Sequence, residues 1–188
     1  MLRMLKVILI SLVSVTLLTG FISFKKEPEE KRAEIDQLTE EVLTDLYREA
    51  PEAKEFIEQA AGYAVFSSLG VNVLVLSTAH GKGVAVRKNG ERIYMKMYSG
   101  GVGVGMGVKD YRLIFVFAND EAMNTFIEEG WTAGVQADAA ATHDDEGDAA
   151  SLAIDVSPGV KLYQLTETGL ALQATIQGTK YVKDDDLN

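Results

Sequence analysis

Seven basic side chains lie within thirty-one residues and form the clearest chemical feature of this 188-residue chain. They are Lys82, Arg87, Lys88, Arg92, Lys96, Lys109 and Arg112. Lys and Arg side chains that converge on one surface bind phosphate groups, because each donates charge-assisted hydrogen bonds to phosphate oxygens. Anionic membranes also attract such clusters, by about 1 kcal/mol per basic residue. These seven residues are the candidate anion-binding site, and an ordinary charged sheet face is the alternative.

The rest of the chain is acidic, which sets this cationic segment apart. The formal net charge is −10, yet residues 80–112 contain seven Lys and Arg against two Asp and Glu. Residues 27–79 contain four basic and twelve acidic side chains, and residues 113–188 contain three and fourteen. Nucleic-acid binding needs a broad positive surface, so this balance argues against it and favours local recognition of an anionic ligand.

The segment SGGVGVGMG, residues 99–107, raises the question of a nucleotide-binding loop. Its glycines alternate at 101, 103, 105 and 107, whereas a dinucleotide site needs G-x-G-x-x-G and a P-loop needs Gly-Lys-Ser/Thr. Strict alternation instead predicts a β-strand with one bare face. Glycine weakens a strand, so four glycines on one face indicate that another group packs closely there.

Other patterns that would support catalysis are missing from the sequence. There is no cysteine, which excludes disulfides, thiolate metal sites and a thiol nucleophile. The two histidines, His80 and His143, lie in different segments, and a zinc site needs about three protein ligands. No G-x-S-x-G motif is present. The sequence therefore shows no catalytic constellation, and we predict no cofactor and no metal site, while an unrecognised hydrolase stays open at this point.

The acidic loop His-Asp-Asp-Glu-Gly-Asp, residues 143–148, is a dense cluster of oxygen ligands. It lacks the alternating ligand spacing of a twelve-residue calcium loop. A solvated acidic loop is the favoured interpretation, and the sequence leaves calcium binding open.

The N-terminus predicts export. Arg3 and Lys6 precede the apolar run VILISLVSVTLL, residues 7–18, which is short for a spanning helix and typical of a signal-peptide core. Phe21 stands where a lipoprotein signal needs cysteine. We predict residues 1–24 as a signal peptide or N-terminal membrane anchor, and cleavage stays open. The predicted location is the periplasm or the outer face of the inner membrane.

The elements that must position the cations follow from hydrophobic periodicity. Residues 25–33 are polar and predicted as a linker, residues 34–182 as one domain, and residues 183–188 as an acidic tail. Helical spacing runs from Ile35 to Tyr47, with acidic residues on the opposite face, and a second helix follows Pro51.

From Gly62 the period changes to two, which indicates strands. The predicted strands are Tyr63–Phe66, Val71–Ser77, Lys82–Arg87, Arg92–Tyr98, the glycine strand, Tyr111–Phe117, and closing strands at Val160–Leu165 and Leu170–Gln177. Asn89-Gly90 predicts a type I′ hairpin turn, which is expected to bring Arg87, Lys88 and Arg92 together.

One helix is inserted among the strands. Asn119 is predicted to cap a helix at Asp120–Glu129, and Gly130 ends it. Helices first and then adjacent strands predict an α+β fold rather than βαβ units. We expect N-terminal amphipathic helices packed on a strongly curved, mostly antiparallel, glycine-rich sheet, barrel- or bowl-like, with this one inserted helix.

An ordered set of segments resembles the SYLF lipid-binding domain family. The segments are AAGYAVF (60–66), GKGVAV (81–86), YSGGVGVGMGVKDYRLIFVF (98–117), NDEAMNTF (119–126), GWTAGVQADAAA (130–141) and YQLTETGLALQATIQGTKY (163–181). The resemblance covers residues 34–182, and the N-terminus is similar to that of exported bacterial members.

The resemblance implies a binding module, not an enzyme. Such a module binds phosphoinositides or other anionic lipids through basic residues and an amphipathic N-terminal helix. It implies an anionic phospholipid membrane as partner, with phosphatidylglycerol or cardiolipin as bacterial lipids. The acidic first helix departs from that pattern. The alternative is a structural or protein–protein interaction module of the envelope, whose protein partner contacts the acidic surface. The sequence leaves the lipid and the oligomeric state open.

Overall fold

The structure is a computed structural model and describes residues 26–73, 76–102, 107–132, 153–166, 169–171 and 179–188. The described helices are α1 (Pro28–Glu49), α2 (Ala53–Gln59) and α3 (Asp120–Glu128). The described strands are β1 (Gly62–Val73), β2 (Leu76–Arg87), β3 (Arg92–Val102), β4 (Gly107–Phe117), β5 (Trp131–Thr132), β6 (Ile154–Ser157), β7 (Val160–Thr166), β8 (Gly169–Ala171) and β9 (Thr179–Lys183). The predicted export segment and the acidic loop 143–148 lie outside the described residues.

Helix α1 begins earlier than the sequence predicts. A polar linker is expected to residue 33, but the helix already begins at Pro28. Proline suits the first turn because its missing N–H needs no partner there, and Glu29 and Glu30 interact favourably with the positive end of the helix dipole. Apolar periodicity does not reveal this start, because the first buried residue is Ile35.

Two predicted strand boundaries are wrong. Val71–Ser77 is not one strand, because β1 ends at Val73 and pairs there with Leu76 at the start of β2. This reversal lies inside an apolar run, so no polar turn signal marks it. The glycine stretch is also divided, since residues 99–102 end β3 and Gly107 begins β4. Gly103 and Gly105 lie outside the described residues.

The hairpin and the helix cap are confirmed, but the predicted turn type is wrong. Gly90 has a φ of 88°, and its N–H donates to the Arg87 carbonyl at 2.8 Å, while the Arg87 N–H donates to the Glu91 carbonyl at 2.9 Å. The loop is therefore three residues, 88–90, with Gly90 in the left-handed region, rather than a two-residue type I′ turn. The Asn119 side chain accepts from the Ala122 N–H at 2.9 Å and so caps α3. Gly130, with a φ of 67°, follows the helix.

The sheet is antiparallel and strongly curved. Its order is β5-β9-β3-β2-β1-β4-β7-β6, and β8 also pairs with β7. Tyr181 on β9 and Phe115 on β4 are four strand positions apart, which is roughly 19 Å in a flat sheet. Their ring centroids are only 5.1 Å apart. The sheet therefore curls into a half barrel, and we call its concave side the inner face.

The inner face forms an aromatic core beneath α3. Phe66, Phe115 and Phe126 pack there with Tyr181, and all four side chains are buried. A Cβ at Gly83 would lie 2.5 Å from Cδ1 of Phe66 and 2.2 Å from the backbone oxygen of Val65. Gly83 is therefore required for the close approach of this ring to the neighbouring strand.

The convex side, or outer face, is covered by α1 and α2. Val42 and Leu46 of α1 and Ile57 of α2 belong to a second buried cluster with Val65 and Ile114 of the sheet. This arrangement confirms the α+β fold of N-terminal helices on a curved antiparallel sheet with one inserted helix. Among the described residues, no helix has the length and apolar character needed to span a membrane.

The predicted acidic tail is packed on the fold rather than free. Asp184 and Leu187 are buried. The Asn188 side chain accepts from the Tyr94 N–H at 2.9 Å and donates to the Tyr94 carbonyl at 2.8 Å. These two bonds satisfy backbone groups of β3 beyond the point where its pairing with β9 ends.

Candidate functional site

Four of the predicted cations lie on the outer face, and the strand register places three of them in a line across neighbouring strands. Lys82 on β2 pairs with Lys96 on β3, and Ser67 on β1 pairs with both Lys82 and Arg112 of β4. Arg92 lies four residues before Lys96 on β3 and so faces the same way. We call Lys82, Arg92, Lys96 and Arg112 the cationic row. Like charges directly opposite each other are destabilising, so this row needs nearby counterions.

Helix α1 supplies most of these counterions from its acidic face. The contacts are Lys82 Nζ to Glu34 Oε2 at 3.1 Å, Arg92 Nη1 to Asp36 Oδ1 at 2.9 Å, Arg92 Nη2 to Glu40 Oε1 at 3.4 Å, and Arg112 Nη1 to Asp45 Oδ2 at 2.9 Å. Lys26, which precedes α1, also forms an ion pair with Glu34. The hydrogen bonds from Lys26 and Lys82 lower the pKa of Glu34.

The C-terminal residues supply the remaining counterions. Lys96 Nζ lies 2.7 Å from Oδ1 of Asp184 and 3.3 Å from Oδ2 of Asp186. Its hydrogen bond with the buried Asp184 is the main reason that the pKa of Lys96 is raised. The predicted acidic tail therefore has a specific contact with the candidate site.

Arg92 is the most closely held member of the row. Desolvation lowers the pKa of Arg92, but the charge and hydrogen bond of Asp36 outweigh it, and the pKa lies above its usual value. The Tyr94 hydroxyl also donates to Asp36, at 3.1 Å from Oδ2. Asp36 thus joins two side chains of β3 to α1, so this cluster has a structural role in holding the helix.

The structure corrects the predicted grouping at the hairpin. Arg87 and Arg92 project from opposite faces of the sheet. Arg87 Nη1 donates to Asn124 Oδ1 of α3 at 2.8 Å, and its Nε lies 3.3 Å from Glu91 Oε2. Arg92 instead reaches α1 through Asp36. Opposed strand residues share a face, but Arg87 and Arg92 are not directly opposed, since Arg92 pairs with Val86.

An open cavity of about 750 Å³ lies at the hairpin end of the sheet. Arg87 and Lys88 line it together with Asn89, Asn119 and Asn124, so donor groups converge there. Glu91 and Asp120 are also among the lining residues, so the cavity is polar and has balanced formal charge. Lys88 is exposed, and within the described parts of the chain it is in no ion pair. We call this space the hairpin cavity.

The remaining predicted groups are placed as follows. Lys109 lies on β4 opposite Gly70, and its side chain is outside the described set. His80 is exposed and stacks edge-on against Tyr98, with the ring centroids 5.8 Å apart. Over the described residues, no group of three or more acidic or histidine side chains is arranged to hold a metal ion.

Sequence reasoning missed the acidic partners of the cationic row. Glu34, Asp36 and Asp45 of α1 were expected on a solvated helix face, yet they contact residues 48 to 67 positions away. The signal that was present is charge complementarity, because an acidic helix and a basic strand segment occur in one domain. The asparagines of the hairpin cavity, Asn119 and Asn124, also belong to the candidate site.

Comparison with known proteins supports one family. Residues 98–188 match the Ysc84 family, which is described as "Las17-binding protein actin regulator". The chain is also 37% identical over 163 residues to Beta cell expansion factor A of Aeromonas veronii. That alignment covers 86% of this chain and 60% of the relative, so the chain spans about three fifths of the relative's length.

Proposed function

Because residues 98–188 place this chain in the Ysc84 family, of the SYLF type, we propose that it binds anionic lipid headgroups at the cell envelope. The proposed role is binding without catalysis, in the periplasm or on the outer face of the inner membrane. Phosphatidylglycerol and cardiolipin are the proposed bacterial lipids. The observation that carries the proposal is the hairpin cavity, because it presents Arg87 and Lys88 beside amide donors.

The cations of the hairpin cavity and those of the cationic row contribute at different steps of the proposed binding. Lys88 is exposed and is in no ion pair among the described residues, so a headgroup phosphate can reach it without displacing a partner. At Arg87 the phosphate competes with Asn124 and Glu91. Phosphate oxygens accept charge-assisted hydrogen bonds from such groups. At the cationic row a phosphate must first replace carboxylates of α1 or the C-terminus. Lys82, Arg92, Lys96 and Arg112 therefore act after first contact, and Lys109 completes the proposed set.

Vesicle co-sedimentation tests this function. Residues 26–188 contain every described contact, so this fragment separates headgroup binding from any effect of the apolar N-terminus. We expect pelleting with phosphatidylglycerol or cardiolipin vesicles, little pelleting with phosphatidylcholine, and weaker pelleting at higher salt because ions screen the attraction. Lys88→Glu should weaken binding roughly thirtyfold, because reversing one charge counts for about two basic residues at about 1 kcal/mol each.

Lys54→Glu is the matched control, because Lys54 is equally exposed on α2 and does not line the hairpin cavity. Both variants have the same net charge. Equal losses in the two variants would mean that overall charge, rather than the cavity, drives binding. The absence of pelleting with every anionic lipid would overturn the lipid proposal.

A second candidate function is a protein–protein interaction module of the envelope. The cationic row favours it, because its charges are already matched by carboxylates of the same chain. The description of the matched family also names a protein partner. Crosslinking in intact cells distinguishes this function from lipid binding. If the chain is a protein-interaction module, we expect a crosslinked protein adduct that still forms in the Lys88→Glu variant.

A further inference from the structure

A second cavity, of about 250 Å³, lies between α2 and β7, apart from the proposed lipid site. Glu52, Glu55 and Phe56 line it from the helix side, and Tyr163 lines it from the sheet. Pockets for drug-sized ligands measure about 300–1,000 Å³. This cavity is smaller and therefore suits one small ion or the end of one side chain. We call it the α2 cavity.

A carboxylate in this cavity lacks a hydrogen-bond partner. Oε1 of Glu52 is shielded from solvent and accepts no hydrogen bond within the described part of the protein. Leaving a buried acceptor unsatisfied is unfavourable, more so for a charged group. Desolvation by burial and the nearby charge of Glu52 both raise the pKa of Tyr163. A donor that enters the cavity would satisfy this oxygen.

Aromatic rings line the cavity from both sides, Phe56 from the helix and Tyr163 from the sheet. Phe56 is one of two large apolar side chains that remain exposed among the described residues, with 37% of its surface accessible. Nζ of Lys161 already lies 6.0 Å from the centre of its ring. The face of an aromatic ring attracts cations within about 6 Å, and such rings recognise ammonium groups. The ring is therefore already arranged as a cation-binding surface.

The local charge also favours a cation. Lys161 is the single basic residue in the lining, and its Nζ is 2.9 Å from Oδ1 of Asp155, so its charge is matched. The carboxylates of Glu52 and Glu55 therefore make the electrostatic potential in the cavity negative. A calcium ion needs six to eight oxygen ligands, which two carboxylates and two rings do not provide. An organic cation needs fewer polar contacts and gains from apolar walls.

We propose that the α2 cavity binds a small organic ammonium ion, with its charged head against Glu52 and its alkyl groups on Phe56 and Tyr163. The ammonium group comes either from a free amine or from the headgroup of a zwitterionic lipid. The two cavities share Gln59 among their lining residues, but the residues that carry this proposal do not line the hairpin cavity, and the proposal does not rest on the anionic-lipid function.

Isothermal titration calorimetry of the full chain tests the proposal with choline and butylammonium. The neutral isostere 3,3-dimethylbutan-1-ol has the shape of choline without its charge. We expect choline to bind at least tenfold more tightly than the alcohol, because the attraction to the Glu52 carboxylate and to the aromatic ring both need the positive charge. Butylammonium, unlike choline, can also donate an N–H hydrogen bond to Oε1 of Glu52. Equal binding of the two compounds, or no binding of any amine, would overturn the proposal.

Variants connect the heat signal to these residues. Glu52→Gln should weaken choline binding roughly tenfold, and Phe56→Leu roughly fivefold. Lys161→Met should strengthen binding, because it removes the competing cation from the Phe56 ring. Glu58→Gln is the matched control, since Glu58 is exposed on α2 and does not line the cavity. An effect of Glu58→Gln equal to that of Glu52→Gln would contradict the proposal.

A competition experiment between choline and lipid vesicles distinguishes the two possible sources of the ammonium group. If phosphatidylcholine vesicles abolish the heat of choline binding, the lipid headgroup occupies the site. If vesicles have no effect, the ligand is a free amine. Lys88→Glu should leave choline binding unchanged, and Glu52→Gln should weaken it. The same set of variants therefore shows separately whether the anionic-lipid proposal or the ammonium proposal fails.

Discussion

The two faces of the sheet are stabilised in different ways. On the inner face, rings of Phe66, Phe115 and Tyr181 are buried and pack directly against one another, and their centroids lie 4.8 to 6.0 Å apart. On the outer face, α1 combines an apolar stripe with ion pairs to the cationic row, and Arg92 and Arg112 remain 32% and 44% exposed. Apolar burial is not weakened by ionic screening, whereas exposed ion pairs are.

This difference separates the part of the fold that defines its shape from the part that responds to its surroundings. The inner face carries most of the aromatic contacts and fixes the curvature. The outer face carries the cationic row and the carboxylates of α1 and of the C-terminal residues that pair with it. Because exposed pairs contribute only about 0–1 kcal/mol each, they can be exchanged for phosphate contacts at little cost in stability.

The largest expected effect is on the inner face. Phe66→Ala should lower the free energy of unfolding by about 3–5 kcal/mol, because it removes a fully buried ring and leaves a cavity between Phe115 and Tyr181. Urea unfolding measures this change. Phe56→Ala is the control and should cost less than about 1 kcal/mol, because its ring is substantially exposed. Similar losses in both variants would remove the proposed contrast between core and surface rings.

A smaller effect is expected on the outer face. Arg92→Met keeps the apolar stem but loses the bonds to Asp36 and Glu40, and it should cost about 1 kcal/mol. The cost should shrink at high salt, where the pairs contribute less. Lys183→Met, which breaks one exposed pair with Glu128, is the control and should cost less than about 0.5 kcal/mol. A cost for Arg92→Met that is independent of salt would argue for packing rather than charge.

The smallest effect concerns pH. The pKa of Glu34 is lowered in the folded state, so its contribution to stability is present above its unfolded pKa of 4.5 and is lost as pH falls through the folded value. We expect the wild type to unfold at a higher urea concentration than Glu34→Gln at pH 7, and the difference to vanish in acid. Glu58→Gln, at an exposed glutamate of α2, is the control and should unfold at about the same urea concentration as the wild type at pH 7. A difference between wild type and Glu34→Gln that is as large in acid as at pH 7 would contradict the assignment.

Local signals in the sequence were sufficient to place the hairpin at Asn89-Gly90 and to predict α3. The hairpin and the Asn119 cap involve atoms within a few residues of each other, so their chemistry is visible in a short segment. The boundary between β1 and β2 was not visible, because residues 73–76 are all apolar. The seven cations were found as a set, but their division between two faces depends on the register of the hairpin.

The sequence by itself determined the α+β class, the cationic segment and its contrast with an acidic chain. Those properties depend on composition and on periods of two and 3.6 residues. Only the tertiary structure decided which charges are matched, because Glu34, Asp45 and Asp186 meet their partners across 48 to 90 residues. It also placed β9 beside β3 and Tyr181 in the core. Curvature brings such distant residues together, and curvature depends on the packing of the whole inner face.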